Sequence, residues 1–259
     1  MEKPAVSNKA DYGSWMPWSI PLLLLCLSIL PVVVTLIFDQ NLLKWVLYPV
    51  SALAFLLFLY MSYVRYMFNR NDGGFQRQFY DLVIDKLSWP GEGKVLDIGT
   101  GAGAIAIELA KRHDAAEVVG VDRWGKPWNY SRDSCERNAL VEGVSERVRF
   151  SLSGADKLLF DDESFDAVIS NFVFHAVRDH DRMSLLREAL RVLKKGGSFS
   201  FQDLFNTQFY DEPENLEREL KSWGLSEVRF VKSSDYIRIP LPLRIRHIVG
   251  DSGVLFGIK

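Results

Sequence analysis

Two long apolar runs open the chain. No charged residue occurs from Tyr12 to Phe38, and none from Trp45 to Val64. Each run supplies about 20 apolar residues, enough helix to cross a hydrocarbon core of about 30 Å. The polar triplet Asp39-Gln40-Asn41 separates them. The pattern therefore predicts two spans, about 17–38 and 45–64, joined as a tight hairpin within residues 1–68. Trp15, Trp18, Trp45, Tyr60, Tyr63 and Tyr66 stand at the ends of the runs, as residues of an interfacial belt do. Pro21, Pro31 and Pro49 fit better in membrane helices than in soluble ones. The competing reading is a buried helical pair of a soluble protein. A cleaved signal peptide fits poorly, because there is no strongly basic start or small-residue cleavage site, and a second span follows at once.

Beyond the polar linker 69–74 the pattern changes. Apolar residues at Phe75, Phe79, Leu82, Val83 and Leu87 have helical spacing over 75–87, and Trp89-Pro90-Gly91 stops that helix. Short continuous apolar runs then alternate with amphipathic stretches. Strands are expected at 94–98, 117–122, 148–152, 165–171 and 198–203. Helices are expected at 102–111, at 127–142 with Pro127 in the first turn, and at 182–193 closed by Lys194-Lys195-Gly196-Gly197. Continuous apolar strands belong to a parallel sheet covered on both faces. Residues 69–259 therefore read as a doubly wound α/β domain, with ligands at the carboxyl ends of its strands. The tail differs: a helix at 213–223 and strands at 227–232 and 254–258 predict an antiparallel hairpin at the sheet edge.

Composition narrows the partners. Lys and Arg number 31 against 33 Asp and Glu, a net charge of −2, so no basic field points to nucleic acid. Cys26 lies in an apolar run and Cys135 in a polar helical stretch, so neither a disulfide nor a metal site is expected, as suits a reducing cytosol. Lys3 and Lys9 precede the hairpin and Arg65, Arg70 and Arg77 follow it, whereas its turn offers Lys44. The positive-inside rule then places both termini, and the α/β domain with them, in the cytoplasm.

The chemistry begins at VLDIGTGAG, residues 95–103, a strand running into a glycine turn. Gly99, Gly101 and Gly103, with Ala104 in the last place, fit a dinucleotide fingerprint but equally a turn for S-adenosylmethionine. Asp97 separates the two. A carboxylate beside the turn repels a pyrophosphate and favours a ligand bearing an ammonium and a sulfonium. Asp122 closes VVGVD, where an acid can accept both ribose hydroxyls in either cofactor class.

Together with these two segments, LLFDDESFDAVISN and LREALRVLKKGGSFSF resemble, in order and spacing, the motifs of class I S-adenosylmethionine-dependent methyltransferases. The resemblance runs from about Phe75 to the C-terminus. It implies a Rossmann-like methyltransferase fold: a mostly parallel seven-stranded sheet whose last strand is antiparallel. It further implies that Asp97, Gly99, Thr100, Gly101 and Gly103 line the methionine half of S-adenosylmethionine. Asp122 would hold the ribose, Arg123 and Trp124 would lie beside the adenine, and Asn171 would face the methionine moiety. The adenine loop departs from the family. Many relatives have Gly-Asp-Ala before Leu-Pro-Phe, whereas Gly154 here occupies the place of the adenine-contacting Asp. Either Asp156 reaches the adenine amine, or the backbone around Ala155 makes the contact.

Methyl transfer from a sulfonium needs alignment first, and a base only where the acceptor carries a proton of high pKa. There is no Asn-Pro-Pro-Tyr segment and no cluster of metal ligands. His175 is the candidate general base, Asp203 the candidate orienting acid, and Tyr210 and Asp211 lie in a loop that can close the pocket. Tyr130 is a further candidate from the second crossover. The stretch 236–250, YIRIPLPLRIRHIVG, alternates basic and apolar residues. It reads either as a contact with anionic lipid or as an edge strand with a basic face. The whole reads as a membrane-anchored methyltransferase with a lipophilic acceptor. The alternatives are action on a soluble small molecule, or a non-catalytic module that binds S-adenosylmethionine.

Overall fold

The computed structural model describes residues 9–38, 41–69, 74–125, 130–178, 180–205, 210 and 212–259. Contacts divide it into a unit of Gly13–Gln76 and a unit holding residues 9–12 and the chain from Arg77 onward.

The first unit is built on two helices, α1 (Ser19–Ile37) and α2 (Asn41–Met67). α1 falls just within the expected span 17–38, and α2 extends the expected span 45–64 at both ends. Small polar side chains lie between the helices: Ser28, Thr35 and Ser51 are buried. The Ser51 hydroxyl donates to the Ser28 carbonyl. Large apolar side chains point outward, with Leu23 61%, Leu42 80%, Trp45 80% and Leu56 62% exposed. A soluble helical pair has the reverse arrangement, whereas small residues inside and apolar ones outside are what helices in lipid adopt. The segments leading into and out of the hairpin are tied together. Ser14 and Asn69 form an antiparallel bridge, the Trp15 and Phe68 rings stack at 5.3 Å, and the Arg65 guanidinium lies 4.3 Å from the centre of the Trp18 ring while donating to the Met16 carbonyl.

The second unit takes up most of α3 (Phe75–Asp85) and carries β1 (Glu92–Ile98), α4 (Ala104–Arg112), β2 (Ala115–Asp122), α5 (Arg132–Val141), β3 (Val148–Leu152), β4 (Phe165–Asn171), α6 (Arg182–Arg191), β5 (Leu193–Leu204), α7 (Pro213–Ser222), β6 (Glu227–Lys232) and β7 (Ser252–Ile258). Seven strands form one sheet in the order β3-β2-β1-β4-β5-β7-β6. The first five are parallel, and β7 is inserted antiparallel between β5 and β6. This is the expected doubly wound sheet. Its order reverses between β1 and β4, which opens a crevice at their carboxyl ends. Leu96, Ile98, Val168, Phe199 and Phe201 of the central strands are almost completely buried, and α6 and α7 pack Leu185, Leu186, Leu216 and Leu220 onto the same core.

Three local expectations are corrected. The second crossover helix begins at Arg132, because Ser131 caps it by accepting from the Ser134 amide at 3.1 Å; Pro127 lies outside the described residues. Lys194-Lys195-Gly196-Gly197 does not close a helix but belongs to β5. Lys194 there meets Asp166 at 2.7 Å, and the Gly196 amide donates to the Lys259 carbonyl at 2.8 Å, so pairing with both neighbouring strands extends β5 backward. The stretch 236–250 is not an edge strand. It folds into the short helical turns Leu241–Leu243 and Arg246–Gly250, and β6 itself forms the edge.

Residues ahead of the hairpin are fastened to this second unit. The Asn138 side chain, fully buried, exchanges two hydrogen bonds with the Asp11 backbone at 2.8 and 2.9 Å and donates to the Ala102 carbonyl at 3.0 Å. Asn138→Leu would strand all three backbone groups. It is expected to cost about 3 kcal/mol and lower Tm by about 10 °C, read by tryptophan fluorescence of the full chain in detergent. An unchanged Tm would contradict the bridging role.

Candidate active site

The glycine turn leaves the buried end of β1. The Gly99 and Thr100 amides both donate to the Val121 carbonyl, at 2.7 and 3.0 Å, which pins the turn to β2. Gly99 has a left-handed φ of 73°. A Cβ there would stand 2.1 Å from Val173 Cγ2, so only glycine keeps this cradle open.

Asp97 lies beneath the turn with 1% of its surface exposed. Its Oδ2 has no hydrogen-bond partner among the described residues. Burial, reinforced by the nearby Asp122 charge, pushes its carboxyl up to about 7. Hydrogen bonds with Thr100 and the Ala106 backbone pull the other way, and the one open oxygen at this depth fits a ligand that brings a cation. Asp122, at the end of β2, is held by two amides: Gly101 N–H at 2.9 Å on Oδ2 and Trp124 N–H at 2.8 Å on Oδ1. A second lone pair on each oxygen can still accept a hydroxyl, as a ribose diol requires. Both acids thus fit the cofactor implied by the sequence resemblance, and Asn171 adds a buried Oδ1 with no partner among the described residues.

The two residues expected beside the adenine diverge. Trp124 takes a left-handed φ of 44° and turns its indole N–H onto the Gly101 carbonyl at 2.9 Å. Cys135 donates to the same carbonyl at 3.1 Å, and burial pushes its thiol up to about 12, so it stays protonated. Arg123 instead pairs with Asp156 at 2.5 Å. That acid also meets His180 Nε2 at 3.4 Å. Here the departure at Gly154 becomes legible. A Cβ on Gly154 would lie 2.2 Å from Asp156 Oδ1 and 2.4 Å from Arg123 Nε. The Asp156 carboxylate therefore folds back into the space that a side chain at 154 would fill. Ala155 is buried beneath the same loop.

The acceptor-side candidates converge. Asp203, at the end of β5, is fully buried. One of its oxygens contacts His175 Nδ1 at 2.5 Å and accepts from the Leu204 amide at 2.8 Å. The other accepts from the His175 amide at 3.0 Å and from the Tyr210 hydroxyl at 3.4 Å. A carboxylate on Nδ1 fixes the proton there and leaves Nε2 as the basic atom. Tyr210 is 5% exposed. Its burial, with the Asp203 charge beside it, holds the phenol well above its ordinary value. It stays protonated and donates to Asp203. Asp211 lies outside the described residues. Tyr130 does reach the glycine turn, its ring 3.5 Å from where a Cβ of Gly101 would sit.

Sequence reading missed two supports. Arg182 donates to the His175 carbonyl at 3.1 Å. Phe172, with a left-handed φ of 55°, stands between Phe79 and His175, ring centres 5.3 and 6.3 Å away, and makes an apolar wall beside the dyad. Its place directly after Asn171 was the available signal. Among the described residues no group of His, Cys, Asp or Glu is placed to hold a metal ion.

Residues 95–197 match the family model of a methyltransferase domain. Among curated proteins, the chain is similar to a ubiquinone/menaquinone biosynthesis C-methyltransferase of Desulfotalea psychrophila, 33% identical over 124 residues, covering 48% of this chain and 46% of the relative. It is also similar to the sterol 24-C-methyltransferase of Aspergillus fumigatus, 34% identical over 128 residues, covering 49% of this chain and 32% of the relative. The matches thus span half or less of those relatives' lengths. Among solved structures, phosphoethanolamine N-methyltransferase 2 of Haemonchus contortus in complex with S-adenosyl-L-methionine shares the fold at a TM-score of 0.53 and 18% identity, over 72% of this chain and 53% of that one.

Proposed function

We propose that the chain, whose residues 95–197 match the family model of a methyltransferase domain, is a class I S-adenosylmethionine-dependent methyltransferase that methylates a lipophilic small molecule held at the membrane. The hydrogen-bonded His175–Asp203 pair, at the carboxyl ends of β4 and β5, carries the catalytic half of this reading. The outward-facing apolar surface of α1 and α2 carries the membrane half. The Phe79–Phe172 wall suits an apolar acceptor. The two curated relatives are named for ubiquinone/menaquinone biosynthesis and for sterols, both apolar classes.

When bound, S-adenosylmethionine would supply a sulfonium-activated methyl group for the acceptor. Asp97 would hold the ammonium, and Asn171 would face the methionine moiety. Asp122 takes the ribose hydroxyls. Gly99, Thr100, Gly101 and Gly103 let the backbone approach. His175 Nε2 receives the acceptor's proton, and Asp203 holds the ring and stabilises the resulting imidazolium. Tyr210 and the two amides keep Asp203 in place. Both termini and the catalytic unit lie in the cytoplasm. The basic residues flanking the hairpin support this, as does the tie between the segments leading into and out of it.

Asp156, braced by Arg123, takes the adenine amine in place of an acid at 154, with the Gly154–Ala155 backbone alongside. Asp156→Ala is expected to weaken cofactor affinity about tenfold, as loss of a charge-assisted hydrogen bond does. Gly154→Asp combined with Asp156→Ala should restore it, because the acid is returned to the empty space. Titration calorimetry decides this. Unchanged affinity in Asp156→Ala would make it a solvated loop acid.

The function itself is tested with full-length protein in detergent, methyl-labelled S-adenosylmethionine and a membrane-lipid extract. Label is expected in the organic phase. Cofactor binding with no product from any extract would refute the reading.

A further inference from the structure

The β6–β7 connector, residues 233–251, is not absorbed by the site. We infer that it is a lipid-contacting lip that seats on an anionic bilayer surface beside the mouth of the active site. The inference rests on the reading of α1 and α2 as membrane spans.

Its position follows from register. Lys232 and Asp203 both face Gly253 of β7, so the connector leaves the sheet at the edge where the His175–Asp203 pair stands. Both ends are fixed there: Gln202 Nε2 donates to Ser233 Oγ at 3.1 Å, and the Phe205 amide donates to the Asp251 carbonyl at 2.9 Å. Its interior is equally fixed. Ile237, Ile239, Leu243 and Val249 are buried, and Arg244 Nε donates to the Ile239 carbonyl at 2.9 Å. The shape of the connector is therefore set before any partner arrives.

Its outer surface is not that of an ordinary loop. Leu241 is 77% exposed, Tyr236 56% and Ile245 46%. Arg238 and Arg244 are exposed between them. Residues 232–251 carry Lys232, Arg238, Arg244 and Arg246 against Asp235 and Asp251. The Lys86 ammonium adds charge 3.7 Å above the Tyr236 ring. Apolar side chains that enter the headgroup boundary, interleaved with arginines that meet phosphates, are the chemistry of a segment lying in a membrane interface. Leu140, Leu152 and Leu159 are also exposed but lie in separate parts of the chain without such a basic setting. Charge sign selects anionic lipid as the occupant. A lip of this kind gives a lipophilic acceptor a path from the lipid to His175 that avoids water.

The test uses full-length protein in nanodiscs. Cys26→Ala removes the exposed native thiol, and nitroxides are placed through Leu241→Cys, Leu140→Cys and Leu56→Cys. In discs containing phosphatidylglycerol, the label at 241 should relax with oxygen several-fold more than with an aqueous nickel chelate. High salt or phosphatidylcholine-only discs should diminish that preference, and the label at 140 should remain water-accessible throughout. The label at 56 reports on the hairpin. If 56 reads as hydrocarbon while 241 is as water-accessible as 140, the lip is refuted and the anchor stands. If 56 reads as water, the anchor fails and takes the lip with it. A label at 241 shielded from both reagents would assign the surface to a second protein copy and also overturn the inference.

Discussion

Asp97→Asn is expected to weaken S-adenosylmethionine binding by about a hundredfold, the loss of a charged hydrogen bond made in a buried site. It should also change the pH dependence. In the free protein the Asp97 carboxyl is pushed up to about 7, chiefly by burial. An ammonium ligand binds only the ionised form and lowers that pKa. Affinity is therefore complete above pH 7 and falls about tenfold per unit below it, until the pKa of the complex is reached. Asparagine has no proton to lose, so the variant's affinity should be flat across this range. The same residue acts on stability with the opposite sense. A folded-state pKa above the ordinary carboxylate value means that stability from this group is present at low pH and is lost as pH rises through 7. Ligand-free Asp97→Asn should consequently be more stable than the parent at pH 8, on the order of a few kcal/mol. Calorimetric affinities and melting curves at pH 6 and 8 check both parts. A variant that binds as tightly as the parent would remove Asp97 from the cofactor site.

His175→Ala should lower turnover by a factor of about 10² to 10⁴ and leave cofactor affinity unchanged, since the imidazole acts only on the acceptor's proton. Asp203→Asn should approach the same loss by a different route. An amide at 203 can donate to Nδ1 and so place the ring proton on Nε2, the atom that must accept. The pair should be strongly non-additive: once the imidazole is gone, Asp203→Asn has little left to remove. Single-turnover rates with saturating cofactor, alongside calorimetric affinities, separate this from misfolding. Full turnover in His175→Ala would mean that the acceptor atom needs no base.

Much of the frame was legible in the chain. The strands at 148–152, 165–171 and 227–232 coincide with β3, β4 and β6, because their apolar runs are bounded by charged or glycine-bearing segments. Asp97 separated two cofactor classes before any geometry was known. Other features depended on pairing between distant segments. Lys194-Lys195-Gly196-Gly197 has the composition of a helix stop, yet backbone hydrogen bonds of Gly196 and Gly197 with Lys259, and the pairing of Leu193 with Phe165 just before, draw it into β5. Strand ends placed His175 and Asp203 near one another, but not the bond between them, which joins residues 28 apart. Tyr210 stood in a polar loop and gave no sign of its burial. The Asp156 carboxylate could be traced into the space above Gly154 only through Arg123, which turns away from its neighbour Trp124.

The most direct test of the account is transfer within one membrane. Full-length protein is reconstituted into vesicles made from native lipid extract and supplied with methyl-labelled S-adenosylmethionine from outside. Protein-free vesicles of the same lipid are then added in excess. Organic-extractable label should appear, confined to the protein-bearing vesicles, with a yield that the added vesicles do not raise. Label found only in water-soluble product, or none despite bound cofactor, would contradict it.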